Sequence, residues 1–372
     1  MLRAEAIVDL DAIRDNVALL KSRTSAEVMS VVKADGYGHG LLAAARASLA
    51  GGATWLGTAT IDEALALRAA GIDAPALAWL WTPYDEPAVH AAVGANVDIS
   101  VSSSWQLGIV ADAARAQGIP ARVHLKIDTG LSRNGSYRDD WADLVAAAAK
   151  GDAIDAVGVW SHFAYADEPG HPTIGKQLQA FREALEIAGS HGVHPQVRHL
   201  ANSAATLTLP DAHFDLVRPG IAVYGLTPVP QEGDFGLVPA MTLRAALASV
   251  KRVRAGEGVS YGHAYITPDD TTLALVPLGY ADGIPRHATN VGPVSINGQR
   301  FTISGRVCMD QFVVDVGDLA VTEHDDAVLF GTGRSGEPRA QDWADAIGTI
   351  HYEIVTRIGA RVPRTYRGDA AS

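Results

Sequence analysis

Val28-Met29-Ser30-Val31-Val32-Lys33, running into Ala34-Asp35-Gly36-Tyr37-Gly38-His39-Gly40, decides how the first two thirds of the chain fold. The first six residues are apolar nearly throughout, as in a parallel strand buried on both faces. Gly40–Ala50 then carries a helical pattern, and Trp55–Ala59 returns to a short apolar run. Strand, helix, strand at this spacing is a βαβ unit, because parallel neighbours need a crossover of a dozen or more residues. Outward from it the unit repeats. Further strands are predicted at Ala76–Trp81, Val97–Val101, Val123–Ile127, Ala156–Ser161, Val197–Leu200 and Phe214–Arg218. Helical patterns fall at Ile61–Ala70, Ser104–Gln117, Trp141–Lys150 and Ile174–Ser190, and Asp11–Lys21 precedes the first strand with Ile13, Val17 and Leu20 on one face. Eight strands separated by helices predict an α/β protein with an N-terminal (β/α)8 TIM barrel.

Beyond about residue 230 the pattern changes. Thr272–Tyr280, Val294–Gly305, Met309–Val316 and Ala327–Gly331 read as strands, Asn297-Gly298 as a hairpin turn, and Gln341–Ile347 as a helix. The expected division is a barrel over residues 11–235 and a mainly β C-terminal domain over 236–372, with residues 1–10 joining the latter as a strand. Pro228, Pro230 and Gly233 mark the hinge.

Composition narrows the function. The 372 residues hold 30 Lys and Arg against 42 Asp and Glu, a net charge of −12. Nucleic acid is therefore not an expected partner, since phosphate backbones need a basic surplus. The single cysteine, Cys308, excludes an internal disulfide and fits a reducing compartment. The N-terminus lacks the plan of a signal peptide, and no apolar run reaches the roughly 18 residues of a membrane span. The expected location is the cytoplasm, with no membrane partner. Thirteen histidines show no metal-ligand spacing, so no metal is expected.

Enzymes on this barrel work at the carboxyl ends of the strands. The polar residues falling there are Lys33, Lys126, Arg133, His162, Asn202, Ser203 and Arg218. This is a basic, hydrogen-bonding rim on an acidic protein, and it suits an anionic ligand. A lysine closing an apolar strand loses hydration, which favours the neutral, nucleophilic amine. The bland alternative is a lysine snorkelling out of a strand end. Arg218-Pro219-Gly220 follows the last strand, where barrel loops bind phosphate through backbone N–H groups; Gly220 admits close approach, and Ser203 adds a hydroxyl. An ordinary turn is the competing reading.

Val32-Lys33-Ala34-Asp35-Gly36-Tyr37-Gly38-His39-Gly40 resembles the cofactor-lysine signature of alanine racemases of PLP fold-type III. Seven more stretches follow in that family's order. They are Lys126-Ile127-Asp128-Thr129-Gly130-Leu131-Ser132-Arg133, Ser161-His162-Phe163-Ala164, Asn202-Ser203-Ala204-Ala205, Arg218-Pro219-Gly220, Val259-Ser260-Tyr261-Gly262, Gly279-Tyr280-Ala281-Asp282-Gly283 and Gly305-Arg306-Val307-Cys308-Met309-Asp310. Any one could mislead; eight in order, from the first residues to Arg364, are specific.

The resemblance implies pyridoxal 5′-phosphate (PLP) as cofactor, alanine as substrate, and a homodimer with shared active sites that supplies D-alanine for peptidoglycan. It implies that Lys33 binds the cofactor and exchanges the Cα proton on one face, and that Tyr261 of the second subunit does so on the other. Arg218 would meet the pyridine nitrogen, and Tyr37, Ser203, Gly220 and Ile221 the phosphate. Arg133 and the Met309 backbone would receive the substrate carboxylate. His162 would support the Tyr261 and Arg218 network, and Tyr280, Arg286 and Arg306 would line the entrance. Lys126 would be carbamylated and orient Arg133; the plain alternative is a lysine facing solvent or paired with Asp128. Where some relatives carry a tyrosine before Arg361-Val362-Pro363-Arg364, this chain has Ala360, and neither Tyr352 nor Tyr366 is assigned to that role. Trp79 packs near the cofactor or is core. Arginine only donates hydrogen bonds, so at Arg218 it argues against PLP decarboxylases of basic amino acids, which place an acidic residue there. A racemase for serine or another small amino acid, a PLP carrier, and a PLP-binding protein that sequesters an amino-acid-like antibiotic remain alternatives.

Overall fold

The computed structural model describes residues 2–370; Met1, Ala371 and Ser372, at the ends of the expected two-domain division, lie outside the described residues. After β1 (Ala4–Asp9), the first two thirds hold eight parallel strands: β2 (Glu27–Val31), β3 (Trp55–Thr58), β4 (Ala76–Ala78), β5 (Asp98–Val101), β6 (Ala121–Lys126), β7 (Ile154–Trp160), β8 (Val197–His199) and β9 (Leu216–Val217). They pair in chain order and β9 returns to β2. The seam between β8 and β9 is bridged by backbone hydrogen bonds from Asp215 to Arg198 (3.1 Å) and from Arg218 to Ala201 (2.8 Å). All eight expected strands are present. The helix Glu86–Gly94 was not expected; its Ala- and Val-rich sequence has no polar face to reveal a helical period.

The barrel interior is layered. Met29, Trp55, Leu77, Val157, Val197 and Leu216 form an apolar plug separate from the main core. Inward positions recur every two residues along a strand. One step up from Leu77, Val197 and Leu216 stand Trp79, His199 and Arg218. The main core lies outside the barrel, between strands and helices, and continues into the second domain.

That domain is mainly β. Its strands are β10 (Met241–Ala246), β11 (Ser249–Val253), β12 (Gly258–Val259), β13 (Tyr265–Ile266), β14 (Thr271–Val276), β15 (Pro293–Ile296), β16 (Gln299–Thr302), β17 (Phe312–Asp315), β18 (Asp326–Phe330) and β19 (Arg364–Arg367). The largest sheet has the order β16-β15-β18-β10-β1-β19, so β1 sits between β10 and β19. The predicted run Val294–Gly305 divides into β15 and β16 at Asn297-Gly298, both at positive φ (48° and 78°). The runs Thr272–Tyr280 and Met309–Val316 are shorter than expected. Their inner ends leave the sheet for a loop crossing where Tyr280 and Ala281 N–H groups bond Cys308 and Met309 carbonyls. The end of the chain ties the domains together: the Arg364 guanidinium donates to Gly38 O (2.9 Å) as well as to Ile358, Gly359 and Val362 carbonyls. It thereby clamps the glycine-rich turn after β2.

Candidate active site

The carboxyl ends of the barrel strands open into a cavity of about 740 Å³. Lys33, Tyr37, Lys126, Arg133, His162, Ser203, Arg218, Gly220 and Ile221 all line it. Nine residues scattered over almost 190 positions thus meet because each lies just past the end of a barrel strand.

Lys33 follows β2 and opens a short helical turn, with Nζ 5.8 Å from the Trp79 ring centre and 5.9 Å from that of Tyr37. Burial, and then the charge of Arg133, lower its pKa against a small opposing pull from Glu63. Lys126 is buried with Nζ 4.3 Å from the Trp160 ring centre. Burial, followed by the nearby cations Arg218 and Arg133, pushes its amine down to about 7. The alternative of a solvent-facing lysine is therefore corrected. Asp128 is engaged elsewhere, accepting from the Gly130, Leu131 and Ser132 N–H groups to shape its own loop.

Arg218 is buried, and burial pulls its pKa down to about 9, still cationic at neutral pH. It donates to His199 Nδ1 (3.1 Å), Ser161 O (2.8 Å), Leu200 O (3.2 Å) and His162 Nδ1 (3.3 Å). His162 lies well below the ordinary histidine range, through burial first and Arg218 second, so it is a neutral acceptor here. Among the described residues none of the four cations Lys33, Lys126, Arg133 and Arg218 forms an ion pair. Four basic side chains without a carboxylate partner face one low-dielectric cavity, the two lysines with lowered pKa, and a dianion between them favours their charged forms.

Gly220 N–H donates to Ser203 Oγ (2.7 Å), and Ala222 N–H approaches the same oxygen (3.4 Å). A Cβ at position 220 would come within 2.3 Å of Tyr37 Oη. The glycine keeps open a small cradle of hydroxyl, phenol and backbone donors, a chemistry that suits phosphate.

The predicted residues of the second domain are not at this mouth. Tyr261 is 72% exposed and Met309 52%; Tyr280, Arg286 and Arg306 are also exposed. Tyr261 instead borders a separate open depression with Ser260, His263, Cys308 and Phe312.

Sequence reasoning missed Tyr352 and Thr356, which line the mouth beside Trp79, Trp160, Asn134 and Asn202. The Tyr352 ring lies 6.3 Å from that of Tyr37. Tyr352, not a group near Ala360, is thus the tyrosine that the C-terminal segment brings to the cavity. The available signal was its spacing: Tyr352 and Thr356 are four apart, on one face of the helix His351–Thr356. Tyr366 lies elsewhere, its phenol against Gly40. Trp79 lines the cavity and packs 5.9 Å from Trp160.

Comparison with known proteins agrees over the whole chain. Residues 8–228 match the family model for the alanine racemase N-terminal domain, and residues 240–366 that for its C-terminal domain. The chain is 60% identical to the alanine racemase of Salinispora arenicola, covering 99% of this chain and 100% of that protein. It is 61% identical to that of Thermobifida fusca, covering 98% of each. The crystal structure of alanine racemase from D-cycloserine producing Streptomyces lavendulae superposes with a TM-score of 0.97 at 55% identity, over 99% of this chain and 98% of that one.

Proposed function

This chain belongs to the alanine racemase family and interconverts the enantiomers of alanine; we propose that it does so with PLP at the barrel mouth and with two bases drawn from two subunits. The observation that carries this reading is the set of four basic side chains without an ion-pair partner in the cavity that holds the Ser203–Gly220–Tyr37 cradle. The donor set fits the cofactor: a phosphate in the cradle with Ile221 beside it, a desolvated lysine for the aldehyde, and a guanidinium for the ring. When bound, PLP joins a lysine amine and draws electrons from the Cα of a bound amino acid, which acidifies its Cα–H.

Lys33 holds the cofactor and takes or returns the Cα proton at its Nζ. Burial, then the charge of Arg133, lowers its pKa and so favours the neutral amine. Arg218 would face the ring nitrogen and could only donate a hydrogen bond to it, because a guanidinium gives up no proton near neutrality. His162 fixes Arg218 from the other side. Arg133 and the Met309 N–H receive the substrate carboxylate. The neutral amine of Lys126 adds carbon dioxide and releases one proton, which turns a neutral group into an anion able to orient Arg133.

Racemisation returns the proton to the face opposite the one it left, so a second base must stand across the substrate. Tyr261 is that base, contributed by a second copy of the chain, and its exposure on the β domain supports this. Tyr280, Arg286 and Arg306 then line the entrance formed between the copies. The domain division falls between residues 235 and 236, with β1 added to the second domain's sheet. Among the described residues no helix is long and apolar enough to cross a membrane. The physiological role is supply of D-alanine for peptidoglycan in the cytoplasm.

The test is direct. Purified protein should carry a yellow chromophore that hydroxylamine removes, and activity on L-alanine, followed by optical rotation, should vanish and return with added PLP. A colourless protein that racemises alanine at full rate overturns the cofactor assignment. A yellow protein that leaves optical rotation unchanged is a binder.

A further inference from the structure

A chain of buried polar side chains runs through the barrel beneath the mouth, and the reaction as described does not use it. Arg122, at the outer end, donates from Nε to Asp98 Oδ1 (2.6 Å). Asp98 Oδ2 lies 3.0 Å from His124 Nε2. His124 Nδ1 lies 2.8 Å from His199 Nε2. His199 Nδ1 lies 3.1 Å from the Arg218 guanidinium. Asp98, His124 and His199 are each 1% exposed or less. Buried polar groups at this density are costly unless every one is satisfied.

The two ends determine every proton between them. Arg218 can only donate, so His199 Nδ1 must be bare and its proton must sit on Nε2. That N–H must find an acceptor, so His124 Nδ1 is also bare and its proton is on Nε2. His124 Nε2–H then meets the Asp98 carboxylate, which can only accept. A single arrangement with both imidazoles neutral satisfies the whole series. A proton added to either ring would set two donors face to face. Physical surroundings agree: His199 is held well below the ordinary range by burial and then by Arg218. Burial pushes the Asp98 carboxyl up, but hydrogen bonds from His124 and Arg122 outweigh it and hold the group below its usual value.

The backbone is shaped around this series. The β6–β7 register shifts between Val123 and His124. Opposite stands Gly158, where a Cβ would lie 2.3 Å from His124 Nδ1. The Trp160 ring stacks on His199 at 5.5 Å and 3°. A strand irregularity and a glycine together make room for an imidazole that apolar packing does not require.

We infer that Asp98, His124 and His199 form a buried relay of fixed direction whose function is to position Arg218. A carboxylate in direct contact would neutralise Arg218 but would take its donors in a bidentate pair. A neutral imidazole in that place occupies one N–H and leaves Arg218 charged, the Asp98 carboxylate being paired with Arg122. Nη1 reaches His199, Nη2 shares its two hydrogens among Ser161 O, Leu200 O and His162 Nδ1, and Arg218 still lines the cavity. These three are positioning residues, acting through Arg218. The inference rests on the reading that Arg218 meets the cofactor ring.

Nitrogen-15 NMR of histidine-labelled holoenzyme at pH 7 tests the relay without altering it. His124 and His199 should each show one protonated nitrogen, at Nε2, and one bare nitrogen, at Nδ1. A Nδ1–H tautomer or a doubly protonated ring at either position overturns the proposal, whatever the cofactor does. Gly158→Ala should displace the His124 ring without deleting any member of the series. It should lower kcat about tenfold, leave the KM for alanine within twofold, and shift the absorption maximum of the bound chromophore. His124→Phe should do the same more strongly. If Gly158→Ala changes the His124 nitrogen signals but neither kcat nor the absorption maximum, the relay does not act on Arg218 and the inference fails. Arg122→Gln, at the outer rim, should leave both tautomers as they are. Loss of the chromophore in the unaltered protein would instead count against the cofactor reading, and the tautomer result would still decide the relay.

Discussion

The barrel mouth and the outer face of the β domain are built on opposite plans. At the mouth, residues from nearly every strand converge on one cavity, and the cations there are desolvated enough to lower the pKa of both lysines. On the β domain, Tyr261, Met309, Tyr280, Arg286 and Arg306 are exposed, and Tyr261 borders an open depression. One region is finished within a single chain. The other presents reactive and recognition groups with nothing opposite them. On the reading proposed above, a folded monomer carries half of a two-base site and a second copy supplies the rest.

The sharpest way to break this comparison is complementation. Lys33→Ala removes the nucleophile and one base, and Tyr261→Phe removes the other. Each should lose activity by roughly 10²–10⁴-fold or more, with Lys33→Ala the more severe and without chromophore. Mixed and allowed to exchange subunits, the two should regain activity, because one site of each heterodimer keeps both bases. Failure to regain any, with exchange verified by mass, places both bases in one chain. Gly220→Ala probes the finished half. Its Cβ would overlap Tyr37 Oη, and overpacking of about 1–3 kcal/mol weakens PLP binding by roughly 5- to 150-fold, measurable by fluorescence titration.

Lys126 offers a pH test. Its folded-state amine is depressed to about 7 from an ordinary value of 10.5. Between those values the unfolded chain binds a proton that the folded chain does not, so this group's contribution to stability falls as pH drops from about 10.5 to 7 and is level below that. In buffer freed of carbon dioxide, Lys126→Met should raise the melting temperature at pH 7 by a few degrees, about 2–4 °C per kcal/mol. The gain should vanish near pH 10. Restoring bicarbonate should shrink the gain, since a carbamate no longer titrates as an amine. The smallest effect is expected at the exposed Arg286. Arg286→Ala should change the KM for alanine by less than about fivefold, as solvent-exposed charges contribute under about 1 kcal/mol, with kcat unchanged.

Much of this was legible in the chain. Eight apolar runs gave the barrel because strands covered on both faces leave an uninterrupted apolar signature. Lys33, Lys126, Arg133, His162, Ser203 and Arg218 were legible because each lies near the carboxyl end of such a run or in the loop after it. Tyr352 was not, because its helix of six residues offers only the Tyr352 and Thr356 spacing as a signal, and because the helix is far in sequence from the turn it packs against at Gly38. The polar members of the barrel interior were not legible either. Asp98 and His124 sit inside runs that read as ordinary strands, and a lone buried histidine has no sequence signature of its partner.

Sequence alone determined the order of strands and helices, the identity of the chemistry-bearing residues and the family to which they belong, since these depend on local periodicity and on residue type. Only the tertiary structure decided which cations are stripped of counter-ions, which histidines face each other, and which tyrosine meets the cavity. Those properties arise from desolvation and from contacts between residues distant in the chain, such as the 2.8 Å approach of His124 and His199 across 75 positions, and no local pattern encodes them.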